Sequence, residues 1–237
     1  MKQPVQSRGR VTRDKILSAA ADLFAKNGYL KTDVQDIVKA AEVGRGAFYH
    51  QFRNSESDGG AKELVARAVV TESFVVEFVP QTVLPRVQAV VDASILLAVA
   101  TPRVTVVRAA LRIALEQGHP LYGFLWDGYI PVVTQWLTEA YDLGELQPGV
   151  DPREAATALV DGYTGRDARK RYAYRELPWE MAKFHQLIYR AIVTPETYAK
   201  LDLSVDRGLE LFRNSAWAGL DELQAPAEAE ASAGLSE

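Results

Sequence analysis

The sequence predicts an all-α protein, with a small N-terminal three-helix unit of helix-turn-helix type joined to a larger C-terminal helical body. Three observations predict it. Apolar residues recur at helical spacing through most of the 237 residues. Prolines punctuate the second part where they open helices, and no credible set of alternating strands appears. The charge is also divided. Residues 1–55 carry ten Lys/Arg against five Asp/Glu, whereas the rest carries seventeen against twenty-six. A basic head on an acidic body suits a modular protein whose head alone must neutralise phosphates.

The elements follow in order. Residues 1–10 lack apolar periodicity, hold Arg8 and Arg10, and read as a flexible basic arm. A first helix runs from about Thr12 to Asn27, with Ile16, Ala20, Leu23 and Phe24 on one stripe and Gly28 as its stop. Thr32 precedes a short helix, Asp33 to Ala41, with Val34, Ile37 and Val38 inward. Glu42-Val43-Gly44 forms a turn into a third helix, about Arg45 to Phe52. The stretch RNSESDGG is a polar loop. Beyond it, helices are expected near 61–79, 82–99, 102–117, 121–143, 152–171, 178–193 and 204–218, with Pro131 kinking the fourth. The small, acidic stretch 219–237 reads as a disordered tail. The expected domains are thus 1–10, 11–60, 61–218 and 219–237.

A helix-turn-helix presents short or polar side chains at the start of its second helix so that the backbone can enter a major groove. DVQDIVKAAEVGRGAFYHQF has this form. Ala40 and Ala41 allow close helix approach. Gly44 and Gly46 permit the turn and, with Ala47, keep the leading face bare. Arg45 can reach phosphate or pair bidentately with guanine. Tyr49 and His50 lie one turn on, and Arg53 follows. Thr32, with the N-terminal N–H groups of the preceding helix, is a candidate phosphate donor. Set against this, His50 on its own reads as a surface histidine, and Tyr49 as packing.

ILSAAADLFAKNGYLKTDVQDIVKAAEVGRGAFYHQF resembles the TetR-family DNA-binding domain, with its IL-x-AA-x-x-LF first helix, GY-x-x-T, I-x-x-x-AGV and G-x-x-YxHF patterns. The resemblance covers residues 13–52 and implies an all-α dimer binding a palindromic operator. It places Arg45, Ala47, Tyr49 and His50 on the recognition helix and Thr32 at a phosphate. Two positions depart from the pattern. Gln51 stands where the family has His, and Ser55 where it has a phosphate-contacting Lys. The family's KEL appears later, as Lys62-Glu63-Leu64, as though SESDGGA were inserted.

The body resembles a narrower group, the γ-butyrolactone-type receptors of filamentous actinobacteria that control antibiotic production. The likeness lies in VVRAALRIALEQG, VTQWLTEAYDLGELQPGVDPREAATALVDGYTG and WEMAKFHQLIYRAIV. It implies a hormone pocket lined by a Trp on the central long helix, a position held here by Tyr129. Trp126, Val133 and Trp136 are neighbouring candidates, and Gln117 and Thr164 are candidate polar contacts. Trp126 and Trp136 could equally be core aromatics, and Gln117 a solvated helix end. A buried Tyr129 hydroxyl wants a polar partner, so the ligand can carry a carboxylate, a lactone carbonyl or an alcohol. Butenolide and alkylfuran hormones are as plausible as a γ-butyrolactone.

Two apolar faces are expected to pair with a second copy as a four-helix bundle: Ala155, Ala156, Leu159, Val160 and Tyr163, and Phe184, Leu187, Ile188, Ala191 and Ile192. The alternative is that they are ordinary core faces. Cysteine is absent, and the three histidines are widely spaced. No nucleophile elbow, zinc-protease motif or phosphate-binding glycine loop occurs, so catalysis, a cofactor and a metal site are not expected. The expected setting is a cytoplasmic homodimer with a DNA operator and a small-molecule inducer as partners, away from membranes. A pseudo-receptor answering to an antibiotic or another apolar molecule, or an activator, stays open.

Overall fold

A computed structural model describes residues 5–53, 60–73, 83–117 and 124–223, with the side chains of 5–8, 72–73, 117 and 124–127 left aside. Among them the secondary structure is helical, apart from one isolated bridge between Leu146 and Val193. The helices are α1 (Val5–Asn27), α2 (Val34–Ala40), α3 (Arg45–Gln51) and α4 (Gly60–Ala68), the last continuing as a π-helical turn, Val69–Ser73. Then come α5 (Val87–Ala100), α6 (Thr105–Gln117), α7 (Phe124–Asp142), α8 (Pro152–Lys170), α9 (Leu177–Ile192), α10 (Pro195–Tyr198) and α11 (Val205–Arg213). A 3₁₀ turn, Ala216–Leu220, follows. Pro131 lies inside α7, and Pro152, Pro178 and Pro195 sit in the first turns of their helices.

Two apolar clusters organise the chain. One joins α1, α2 and α3 to α4, α6, Phe212 and Trp217, with Phe24, Ile37, Phe48, Val65 and Ile113 wholly buried. The other joins α5, α7, α8 and α9 around Leu137, Leu177, Met181 and Tyr189. The first cluster crosses the boundary expected at residue 60, so the head is packed onto the body rather than tethered to it. α11 is held to α5 by a two-point pair: Arg207 Nε and Nη2 donate to Asp92 at 3.1 and 2.6 Å, with Asp92 fully buried. Gly208 lets α11 approach closely, since a Cβ there would lie 2.9 Å from both Ile95 and Val99. No single helix among the described residues is long and apolar enough to cross a membrane; only α5 and α6 together pass that test, and they meet at 105°.

Three expectations are corrected. Residues 5–10 are helical rather than a loose arm, because α1 starts at Val5 and the Gln51 side chain ties its first turns down by donating to the Gly9 carbonyl at 3.2 Å. Residues 219–223 belong to the fold, since Glu222 accepts from the Thr105 N–H at 2.9 Å and from Arg108 at 2.7 Å, capping α6. Residues 224–237 lie outside the described residues. Much of the two faces expected at a dimer interface is buried within the chain itself. Ala155, Ala156, Leu159, Tyr163, Phe184 and Ile192 are buried in the cluster that α8 and α9 share with α5 and α7, Val160 and Ile188 are half-buried, and Leu187 and Ala191 are exposed.

Candidate functional site

The head is built for a bare, polar outer face. α2 starts at Asp33, whose carboxylate and that of Asp36 form a reciprocal capping box. α3 presents Phe48 inward, fully buried, with the Phe52 ring tilted against it at 5.7 Å between centroids. Its opposite face exposes Arg45, Gly46, Ala47, Tyr49 and His50, with Arg53 exposed just beyond. A Cβ added at Gly44 or Gly46 would meet nothing within 4 Å, so packing does not require glycine at either position. Their smallness serves the outer surface. Gln51 and Arg13 anchor the far end: Arg13 donates to the Gln51 carbonyl at 3.5 Å and lies 4.6 Å over the Phe52 ring.

The structure brings together seven of the eight head residues singled out in the sequence and corrects one. Thr32 is 1% exposed, and its hydroxyl donates to the Gly28 carbonyl at 2.7 Å. A hydroxyl has one proton, so this side chain braces the α1–α2 turn and has none left for phosphate. The turn into α3 also differs in detail. Its left-handed residue is Glu42, with φ 53°, while Gly44 is extended at φ −72°. Glu42 stands where the family pattern has glycine. Lys62, on α4, lies 4.3 Å over the Tyr29 ring. Residues 54–59, which hold most of the inserted segment, lie outside the described residues.

The body encloses a cavity of about 110 Å³ between α5, α6, α7, α8 and α9. Tyr129, Val133, Trp136 and Thr164 line it, as expected from sequence. The side chains of Gln117 and Trp126 lie outside what is described. Sequence reasoning missed Asp167 and His185, which also line it. The signal was available, because Asp167 continues the stripe of Ala156, Leu159, Val160 and Tyr163 at helical spacing. Burial raises the Tyr129 and Tyr163 hydroxyls well above their ordinary values, so both stay protonated donors. Tyr163 lies 3.2 Å from the Thr101 hydroxyl.

One helix touches both sites. Leu111, Ala114 and Leu115 of α6 line the cavity. From the same helix, Arg112 donates to the Ala25 and Lys26 carbonyls at the end of α1, at 3.0 and 2.9 Å. Glu116 accepts from the Tyr29 N–H at 2.8 Å and from Arg112 at 2.8 Å. Gly28, at φ 88°, makes this approach possible, since a Cβ there would sit 2.4 Å from Glu116 Oε1.

A basic helix-turn-helix head on an all-helical body with an internal cavity defines a class of DNA-binding regulator. Residues 16–57 match the bacterial regulatory proteins of the tetR family, so the chain carries that family's N-terminal domain. Over 166 residues, 68% of this chain, it is 30% identical to the A-factor receptor protein of Streptomyces griseus. The matched stretch covers 55% of that protein, so the chain spans about half the length of this relative. It is similar throughout to the crystal structure of full-length native TylP, a TetR regulator from Streptomyces fradiae, with a TM-score of 0.69 and 26% identity. That likeness covers 89% of this chain and 92% of TylP. A γ-butyrolactone receptor structure shares the fold at a TM-score of 0.68 and 23% identity, over 88% of this chain and all of that one.

Proposed function

We propose that this chain is a ligand-responsive transcriptional repressor. It binds a palindromic operator as a homodimer and is released by a small signalling molecule of γ-butyrolactone, butenolide or alkylfuran type that controls antibiotic and secondary metabolism. The observation that carries the proposal is α6, with the cavity on one face and the end of α1 clamped to the other. A molecule entering the cavity displaces Leu111, Ala114 or Leu115, and the Arg112–Glu116 clamp carries that shift to the head. Likeness to the A-factor receptor protein and to a γ-butyrolactone receptor supports the ligand class.

In this reading residues 11–60 dock on DNA and 61–218 sense and dimerise. Arg45, Gly46, Ala47, Tyr49 and His50 face the major groove, Gly44 lets the backbone approach, and Arg53 meets phosphate. Tyr129, Val133, Trp136 and Thr164 contact the ligand, with Gln117 and Trp126 as further candidates. One recognition helix buries too little DNA for tight binding, so two copies engage two half-sites. The outer face of α9, where Trp179 and Leu187 are 56% and 72% exposed, and the outer face of α8, with Ala158 and Gly165, are where the second copy packs. A ligand that prefers the released state 100-fold shifts the balance by about 2.7 kcal/mol, which takes an operator from about 99% to about 50% occupied.

The test is a gel shift with DNA from upstream of the chain's own gene, titrated with a synthetic γ-butyrolactone, a butenolide and an alkylfuran carboxylic acid. A shifted complex released by one of the three is expected. A complex that all three leave intact would remove the hormone class, and no complex at all would remove the repressor.

A further inference from the structure

The cavity is apolar except for a few groups, and two of these have polar atoms without a partner among the described residues. Asp167 on α8 is 1% exposed, and neither carboxylate oxygen has a hydrogen-bond partner among the described residues. The adjacent cation does not satisfy it: Arg171, one turn later, lies 3.8 Å from Glu116, and its Nε is itself unpartnered. His185 on α9 is fully buried, with Nδ1 unpartnered. Its Nε2 lies 2.8 Å from the Ser94 hydroxyl. That hydroxyl also lies 3.1 Å from both the Val90 and Val91 carbonyls. Which ring nitrogen carries the proton follows from whether Ser94 donates to the ring or to these carbonyls. Desolvation, with Arg166 adding repulsion, holds His185 down to about 3, so the ring is neutral.

Orphaned buried acceptors are costly, and a structure that keeps them has a use for them. A hydroxyl or an ammonium would satisfy them, whereas a carboxylate would meet Asp167 as a like charge. Either protonation state of Asp167 leaves at least one oxygen able to accept. We propose that Asp167 recognises a hydrogen-bond-donating head group, an alcohol or an ammonium, on an otherwise apolar ligand. This rests on the cavity being the ligand site. It narrows the chemistry proposed above by disfavouring free carboxylic acids.

The experiment uses the full chain at pH 8, where Asp167, pushed up to about 7 by burial, is mostly ionised. Four six-carbon probes matched in length are titrated against tryptophan fluorescence: 1-hexanol, hexylammonium, methyl pentanoate and hexanoate. Trp136 on the cavity wall reports occupancy. The alcohol and the ammonium are expected to bind about tenfold tighter than the ester, with hexanoate weakest. In Asp167→Leu the ester should bind as before, which shows the cavity intact, while the preference for donors falls away. In Asp167→Asn, which keeps an acceptor but no charge, only the ammonium should weaken. Hexanoate or the ester matching hexanol in the wild type, or a preference that survives Asp167→Leu, overturns the proposal and leaves the cavity as a ligand site. Failure of all four to bind overturns both.

Discussion

In the head, polar groups inside are satisfied and the groups on the surface are left open. Thr32 is braced on Gly28, Asp33 and Asp36 cap α2, and Arg45, Tyr49 and His50 stand outside on a helix thinned by Gly46 and Ala47. The body reverses this. Several of its surface charges are paired, as in Arg169–Glu180 and Lys170–Glu176, while Asp167, His185 and Tyr189 are buried with unpartnered atoms. Hydrogen-bonding capacity left unused marks where each region meets something outside itself. For a broad, hydrated polyanion that place is the surface, and for a small apolar molecule it is the interior.

The comparison can be broken most forcefully from inside the head. Phe48→Ala empties a wholly buried site shared by α1, α2 and α3, and should cost about 3–5 kcal/mol in urea unfolding. A loss under 1 kcal/mol would mean that α3 is not packed as described. Arg45→Ala removes only an exposed charge. It should leave the melting temperature unchanged and weaken binding to a specific duplex by about 1–3 kcal/mol.

The buried acid of the body sharpens the contrast through pH. Folding holds Asp167 near 7, above its ordinary value, because burial disfavours its charge and Arg171 only partly offsets this. Between about pH 4 and 7 the folded chain keeps a proton that the unfolded chain has released, so this group's contribution to stability declines as pH rises. Tyr163 and Tyr174, both raised by burial, stay protonated in that window, and the Arg171 charge faces the same carboxyl. His185 runs the other way: held low in the fold, it costs stability as pH falls from about 6.5 toward 3, equally in wild type and variant. Asp167→Asn should therefore be the more stable protein at pH 8, by roughly 1–3 kcal/mol, with a smaller advantage at pH 5. A constant difference across that range would place Asp167 in contact with water. The smallest effect is at the turn before α3. Glu42→Gly relieves a left-handed residue, and a gain of about 0.5–1 kcal/mol in thermal unfolding is expected. A loss there would mean that the Glu42 side chain contributes more than its backbone strain costs.

The head was the more legible region because its signals are local. The stripe of Ile16, Ala20 and Phe24, the small residues around Arg45 and the basic balance all lie within about forty residues. What escaped was directional. Thr32 reads as a helix opener from its place in the chain, but only the fold shows its hydroxyl turned back on Gly28. In the body the helices and four cavity residues were legible from periodicity and resemblance. The faces of α8 and α9 were not, because an apolar stripe looks the same whether it covers the chain's own core or a second copy. The stripe on α9 is also rotated from the expected one, burying Met181, His185 and Tyr189 and exposing Leu187 and Ala191. The clamp of Arg112 and Glu116 joins residues more than eighty positions from their partners, a distance no local pattern spans.

The central claim is that the exposed face of α3 reads duplex DNA, twice per assembly. Selection of duplexes from a random library by the purified full chain tests it most directly, with affinity for the enriched sequence measured against salt. The account predicts an inverted repeat with half-sites about one helical turn apart, or a multiple of that, affinity falling steeply with salt, and loss of enrichment in Arg45→Ala. Enrichment of no palindrome, or an enriched sequence bound equally well by Arg45→Ala, would contradict it.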